Sequence, residues 1–124
     1  MTKAFLVSLG AAAFLASGSV EAKGYAWPCY WTHGRLTVGN GTPSVRIWPR
    51  GTRRLLGVAN PANPGSDVGE LDTLPGNVLR LLGDHDFATI WGDFRICPIA
   101  RDHDGVMRPV LVKAARGLVL TEAD

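Results

Sequence analysis

Arg35, Arg46, Trp48 and Arg50 lie in one run, HGRLTVGNGTPSVRIWPRGTRRLLGVAN from His33 to Asn60, that carries five arginines and no acidic residue. Arginine offers a planar fork of donors that matches carboxylate, phosphate or sulfate, and an indole among arginines can stack on a sugar or a base. These four residues are the candidate ligand-binding set. The competing reading is a solvated strand face whose arginines are neutralised from within the chain. Residues 67–104 could supply that charge, since they hold eight acids against three arginines.

A second pattern is the near-repeat Asp84-His85-Asp86 and Asp102-His103-Asp104. Carboxylate and imidazole are ligands for Zn or Mn, and Asp102 to Gly105 has a partial likeness to a calcium loop. The full calcium-loop pattern, with a third acid and a distant Glu, is missing, and Asp-rich turns are ordinary loop chemistry. No metal site is assigned, and these six residues are the weak candidates for one.

For hydrolysis, Ser44, Ser66 and three histidines are present, but no G-x-S-x-G elbow and no H-E-x-x-H motif. The sequence favours a non-enzymatic binding module over the alternative, a small hydrolase or metal-dependent activity at the Asp-His-Asp turns. No cofactor is called for.

The elements that must hold these residues read as β structure. Alternation over residues 33–50 puts Leu36, Val38, Val45 and Ile47 on one side and His33, Arg35, Thr37, Ser44, Arg46, Trp48 and Arg50 on the other. Asn40-Gly41 predicts a short hairpin loop of two or four residues, both lengths giving the same register. The register that follows sets Leu36 opposite Val45, His33 opposite Trp48, and Arg35 opposite Arg46, a like-charge pair in need of a counter-charge. Pro49 to Thr52 makes a second turn and Arg53 to Ala59 a third short strand. Residues 59–66, ANPANPGS, form a loop.

Leu74 to Gly83 predicts a short helix, with Pro75 near its start and Gly83 as its stop. Phe87 to Ile99 predicts a fourth strand with a bulge at Gly92. Val110 to Ala114 predicts a last strand, with a short continuation at Leu118 to Leu120. The dense aromatics Tyr25, Trp27, Tyr30 and Trp31 are expected to close one end of the core. Three meandering strands, a helix and two strands are the order of a five-stranded OB-like barrel; a small β-sandwich is the alternative.

Residues 1–22 read as a secretory signal peptide: Lys3, an apolar run of 13 from Ala4 to Ala16, then Val20 and Ala22 at a cleavage site. The run is shorter than the ~20 residues of a membrane-spanning helix. Cleavage after Ala22 leaves Lys23 to Asp124, 102 of the 124 residues, suited to a single β domain. The two remaining cysteines, Cys29 and Cys97, allow one disulfide in an oxidising compartment. In an OB-like barrel the first and fourth strands are antiparallel neighbours, which brings those cysteines together.

Residues 34–48 (GRLTVGNGTPSVRIW), 53–58 (RRLLGV) and 92–98 (GDFRICP) resemble a group of small exported proteobacterial proteins without an assigned function. The resemblance implies a bacterial, periplasmic or secreted, disulfide-containing domain and carries over no catalytic residue. The expected partner is an anionic polysaccharide of the envelope or another exported protein. Export argues against nucleic acid.

Overall fold

The computed structural model describes residues 27–41, 43–60 and 71–124. Five strands account for most of them: β1 (Tyr30–Val38), β2 (Val45–Pro49), β3 (Leu56–Val58), β4 (Ala88–Pro98) and β5 (Arg108–Ala123). They close into a ring in the order β1-β2-β3-β5-β4, with β4 back against β1. Neighbours are antiparallel except β3 and β5, which are parallel. This is the OB-like order expected from the sequence. The signal-peptide segment, Tyr25 and residues 61–66 of the proline-rich loop lie outside the described residues.

Strict alternation makes the wall two-sided. In β2 the pattern is buried at Val45, Ile47 and Pro49 and half-buried at Arg46 and Trp48. In β4, Ala88, Ile90, Gly92, Phe94 and Ile96 point inward while Thr89, Trp91, Asp93 and Arg95 point outward. The interior is filled by Leu36, Val45, Ile47, Val58, Ile90, Phe94, Ile96 and Val110, each 0% exposed. Burying a side chain of this size contributes roughly 1.5–3 kcal/mol.

The helix α1 (Gly76–Leu82) lies between β3 and β4 in the chain and buries Val78 and Leu82. Together with Leu74 they join the barrel's core. Pro75 precedes its first turn, and Gly83, at φ 52°, ends it in a conformation that costs little only for glycine. Asn77 at its start donates from Nδ2 to the Ala115 carbonyl of β5 at 2.7 Å, fixing helix to wall. A short 3-10 turn, Leu71–Thr73, precedes the helix.

Cys29 and Cys97 form a disulfide where β1 begins and β4 ends. β1 and β4 pair from Tyr30↔Ile96 to Val38↔Ala88, as the expected adjacency requires. Among the described residues, no helix is long and apolar enough to cross a membrane.

Several expectations are corrected. The β1–β2 register is Val38↔Val45, Leu36↔Ile47 and Arg35↔Trp48, two residues from the predicted one. The hairpin loop is longer than either expected length, since β1 ends at Val38 and β2 begins at Val45: Gly39 N–H donates to the Ser44 carbonyl at 3.0 Å, and the positive φ at this turn belongs to Gly41, not Asn40. Arg35 therefore does not face Arg46.

β5 runs 16 residues through the Arg116-Gly117 break in the pattern. It does so because three bulges against β4 absorb the misfit, one of them at Gly92 as expected. β3 is shorter than predicted, three residues. The aromatic segment also departs from its expected role, since Tyr30 and Trp31 are 40% and 41% exposed rather than closing the core.

Candidate functional site

The outward side chains of β1, β2, β4 and β5 line up in rows across the barrel wall. One row reads Trp48, Arg35, Trp91, Val119; the next holds His33, Asp93 and Arg116; the next pairs Trp31 with Arg95. Cross-strand neighbours on one face stand about 4.5–5.5 Å apart at Cβ, so each row is a contact chain.

The first row holds the strongest arrangement. The Arg35 guanidinium carbon lies 4.9 Å from the ring centroid of Trp48. Trp48 meets Trp91 edge to face, with centroids 6.1 Å apart and planes at 83°. Trp48 is held in place by its indole N–H, which donates to the Thr52 carbonyl at 2.7 Å. Among the described residues, no carboxylate lies within ion-pair distance of Arg35. Stacking on an indole leaves the outer donors of a guanidinium free for an anion.

The second row is a polar cluster. His33 Nδ1 and Asp93 Oδ1 are 2.8 Å apart, and Arg116 Nε approaches Asp93 Oδ2 at 3.5 Å. The His33 hydrogen bond, aided by Arg116, holds the Asp93 carboxyl below its ordinary range despite partial desolvation. The Arg116 guanidinium carbon also lies 4.0 Å from the Trp31 ring centroid, and the His33 ring is 6.0 Å from Trp91. Beyond the Arg35 row the wall ends in an open cleft of about 290 Å³ lined by Thr37, Phe87, Thr89, Glu122 and Asp124, among others.

The sequence-derived set is thus divided. Arg35 and Trp48 are brought together. Arg46 faces Thr37 and turns onto its own hairpin, its Nε donating to the Pro43 carbonyl at 3.0 Å. The β2–β3 side of the barrel, where OB-like folds often bind ligands, is covered at that point: a Cβ on Gly57 would come within 2.8 Å of Pro43. Arg50 is exposed just past β2, with its backbone N–H donating to the His33 carbonyl.

Trp91, Asp93 and Arg116 were missed. Their strand alternation was readable, but which outward residues meet is decided by the β1–β4 and β4–β5 registers.

The two Asp-His-Asp turns do not meet. They flank opposite ends of β4, whose 11 residues span roughly 33 Å at full extension. Asp102 pairs with Arg54, which also donates to the His103 and Val106 carbonyls at 3.2 and 3.1 Å. His85 lies 3.3 Å from Asp124, whose other carboxylate oxygen accepts from the Asp86 N–H at 3.1 Å. These contacts fasten the β4–β5 loop and the barrel's other end. Among the described residues, no group of three or more His, Cys, Asp or Glu side chains is placed to hold a metal ion.

Internal neutralisation of the arginines, the competing expectation, is found at Arg54. No protein-family model matches the chain, and no curated protein or solved structure matches it either. The functional reading therefore rests on the geometry of this face.

Proposed function

We propose that the protein is a non-enzymatic binding module for an anionic polymer of the cell envelope, and that it acts in the periplasm or outside the cell. The observation that carries the reading is Arg35, stacked on Trp48 beside Trp91 on an outward strand face, with no carboxylate of the described residues in reach. A cation backed by indoles offers an acidic sugar both charge and a stacking surface. The N-terminal signal pattern, the disulfide and the resemblance to small exported proteobacterial proteins support the compartment. In that compartment a polysaccharide or another exported protein is the available partner, and the indole-rich face favours the polysaccharide.

The test is retention on immobilised heparin at low salt. Arg35→Ala and Trp48→Ala should elute much earlier than the parent protein. Arg53→Ala removes an exposed arginine off this face and controls for net charge. Equal elution of Arg35→Ala and Arg53→Ala would reject the face.

A further inference from the structure

The inner side of the wall changes character at the disulfide end of the barrel. Along β1 the inward positions run Leu36, Gly34, Thr32 and Tyr30, and burial falls from complete at Leu36 to half-buried at Thr32 and 40% exposure at Tyr30. Tyr30 pairs with the fully buried Ile96 and so shares the inner side. Arg108 opens β5 on that same side, since it pairs with the buried Leu56 and stands two residues before the buried Val110. The interior of a small barrel is normally filled by apolar side chains, so two hydroxyls and a guanidinium at inward positions set this mouth apart from the core.

These groups surround a cleft of about 220 Å³, whose buried lining is Leu56 and Pro49. Arg54 and Asp102 also line it but pair with each other. Arg108 is held ready: its Nε donates to the Ala100 carbonyl at 3.0 Å, and its guanidinium carbon lies 5.6 Å from the ring centroid of Trp27. Its terminal nitrogens remain, and among the described residues no carboxylate lies within ion-pair distance of them. Neither the Tyr30 nor the Thr32 hydroxyl has a hydrogen-bond partner among the described residues. Burial pushes the Tyr30 phenol above its ordinary range against the pull of the nearby Arg108 charge, so it is protonated and able to donate at neutral pH. The unspent groups of the cleft are thus one cation and two hydroxyls beside an apolar patch. The volume is below the ~300–1,000 Å³ that drug-sized ligands fill, which suits a single small molecule.

We propose that this barrel mouth is a second binding site, for a small monocarboxylate with a compact apolar body. The carboxylate takes the fork of Arg108 and the Tyr30 hydroxyl, and the body rests on Leu56 and Pro49. The proposal does not rest on the polysaccharide reading, because Arg35, Trp48 and Trp91 lie on the outer side of the wall.

NMR titration of the oxidised protein at constant pH and ionic strength tests it, with benzoate, benzamide and inorganic phosphate as probes. Benzoate should give saturable shifts at the Trp27 indole N–H and the Tyr30 and Thr32 amides, and leave the Trp48 and Trp91 indoles unmoved. Benzamide, of the same shape without the charge, should bind about tenfold more weakly, the factor for loss of a charged hydrogen bond. Phosphate, which lacks the apolar body, should also bind more weakly than benzoate. Arg108→Gln should weaken benzoate by about tenfold and Tyr30→Phe by roughly threefold. Tyr30→Phe removes one hydroxyl from a partly exposed ring, so it reads the site even where Arg108→Gln disturbs the fold. Shifts centred on Trp48 instead, benzamide or phosphate binding as tightly as benzoate, or unchanged benzoate affinity in Tyr30→Phe and a folded Arg108→Gln, would overturn the proposal. So would the absence of any saturable shift in the millimolar range.

Discussion

Arg35 lies over the indole of Trp48, its cross-strand partner, and the two make a cation–π contact on the outside of the barrel. The alternative register would have opposed two guanidiniums. The observed one gives Arg35 an apolar, electron-rich partner and leaves its charge uncancelled. Such a contact contributes about 0.5–1 kcal/mol at an exposed site. Arg35→Ala should therefore lower stability by no more than about 1 kcal/mol while changing the tryptophan emission, and urea melts followed by fluorescence read both. A collapse of the fold would show that Arg35 is structural rather than a ligand group.

Phe94 and Trp91 belong to the same strand and point to opposite sides. Phe94 is fully buried, and truncating it to alanine should cost about 3–5 kcal/mol. Trp91→Ala should cost well under half of that, because its ring meets His33 and Trp48 on the outer face. Chemical denaturation of the two variants checks the difference. A larger loss for Trp91 would assign the indole to the core.

The disulfide joins residues separated by 68 positions. Closing so long a loop restricts the unfolded chain, and the chain-entropy relation gives about 4 kcal/mol as an upper value. Cys29→Ser/Cys97→Ser, or reduction of the parent protein, should lower the unfolding free energy by up to that amount. A free-thiol assay on oxidised protein should find no reactive thiol.

Asp93 titrates below the ordinary carboxylate value of 3.8, first because His33 donates to it and then because Arg116 lies beside it. A depressed carboxyl contributes stability that is fully present above its unfolded value and is lost as pH falls through its folded one. The effect thus belongs to the acid side of pH 3.8. His33→Gln should move the Asp93 carboxyl resonance back towards the ordinary range in an NMR titration. An unmoved titration would remove His33 as the cause.

Gly34 in β1 is paired with Pro49, and the chains approach so closely that a Cβ on Gly34 would clash with the Trp48 carbonyl oxygen and sit 2.9 Å from the Pro49 Cα. Backbone cannot give way as a flexible side chain does. Gly34→Ala should cost about 1–3 kcal/mol by overpacking and displace Trp48 from Arg35, which thermal melts and near-UV circular dichroism would register together.

What the sequence disclosed followed from local rules. Strand alternation, Pro75 and Gly83 around the helix, and the pairing of Cys29 with Cys97 each depend on neighbouring residues or on strand order. Partners across strands depend on loop length, and a two-residue slip keeps every side chain on its own face. Leu36, Val45 and Ile47 were therefore placed inside correctly while Arg35 was given the wrong opposite number. The same limit hid the contact of Arg116 with Asp93. Gly117, at φ 62°, carries the bulge that makes that contact, and in the sequence it reads as an interruption of the strand.

All three bulges of the β4–β5 ladder place their extra residue in β5, between Glu122 and Leu120, between Val119 and Arg116, and between Ala114 and Val112. β5 is thus the longer rail on the outside of a curve whose inner rail is β4. Each bulge is also a point where phase can be reset. Deleting Lys113 would erase one, and Ala114 and Val112 would keep Arg95 and Ile96 as partners, so the residues on either side would keep their faces. Moving a bulge along β5, by contrast, would reorder the outward charges and leave the closed ring intact. The order of Arg116 and Glu122 on the surface is in this sense a setting of the strand's phase, open to revision by single-residue insertions and deletions that the barrel itself could survive.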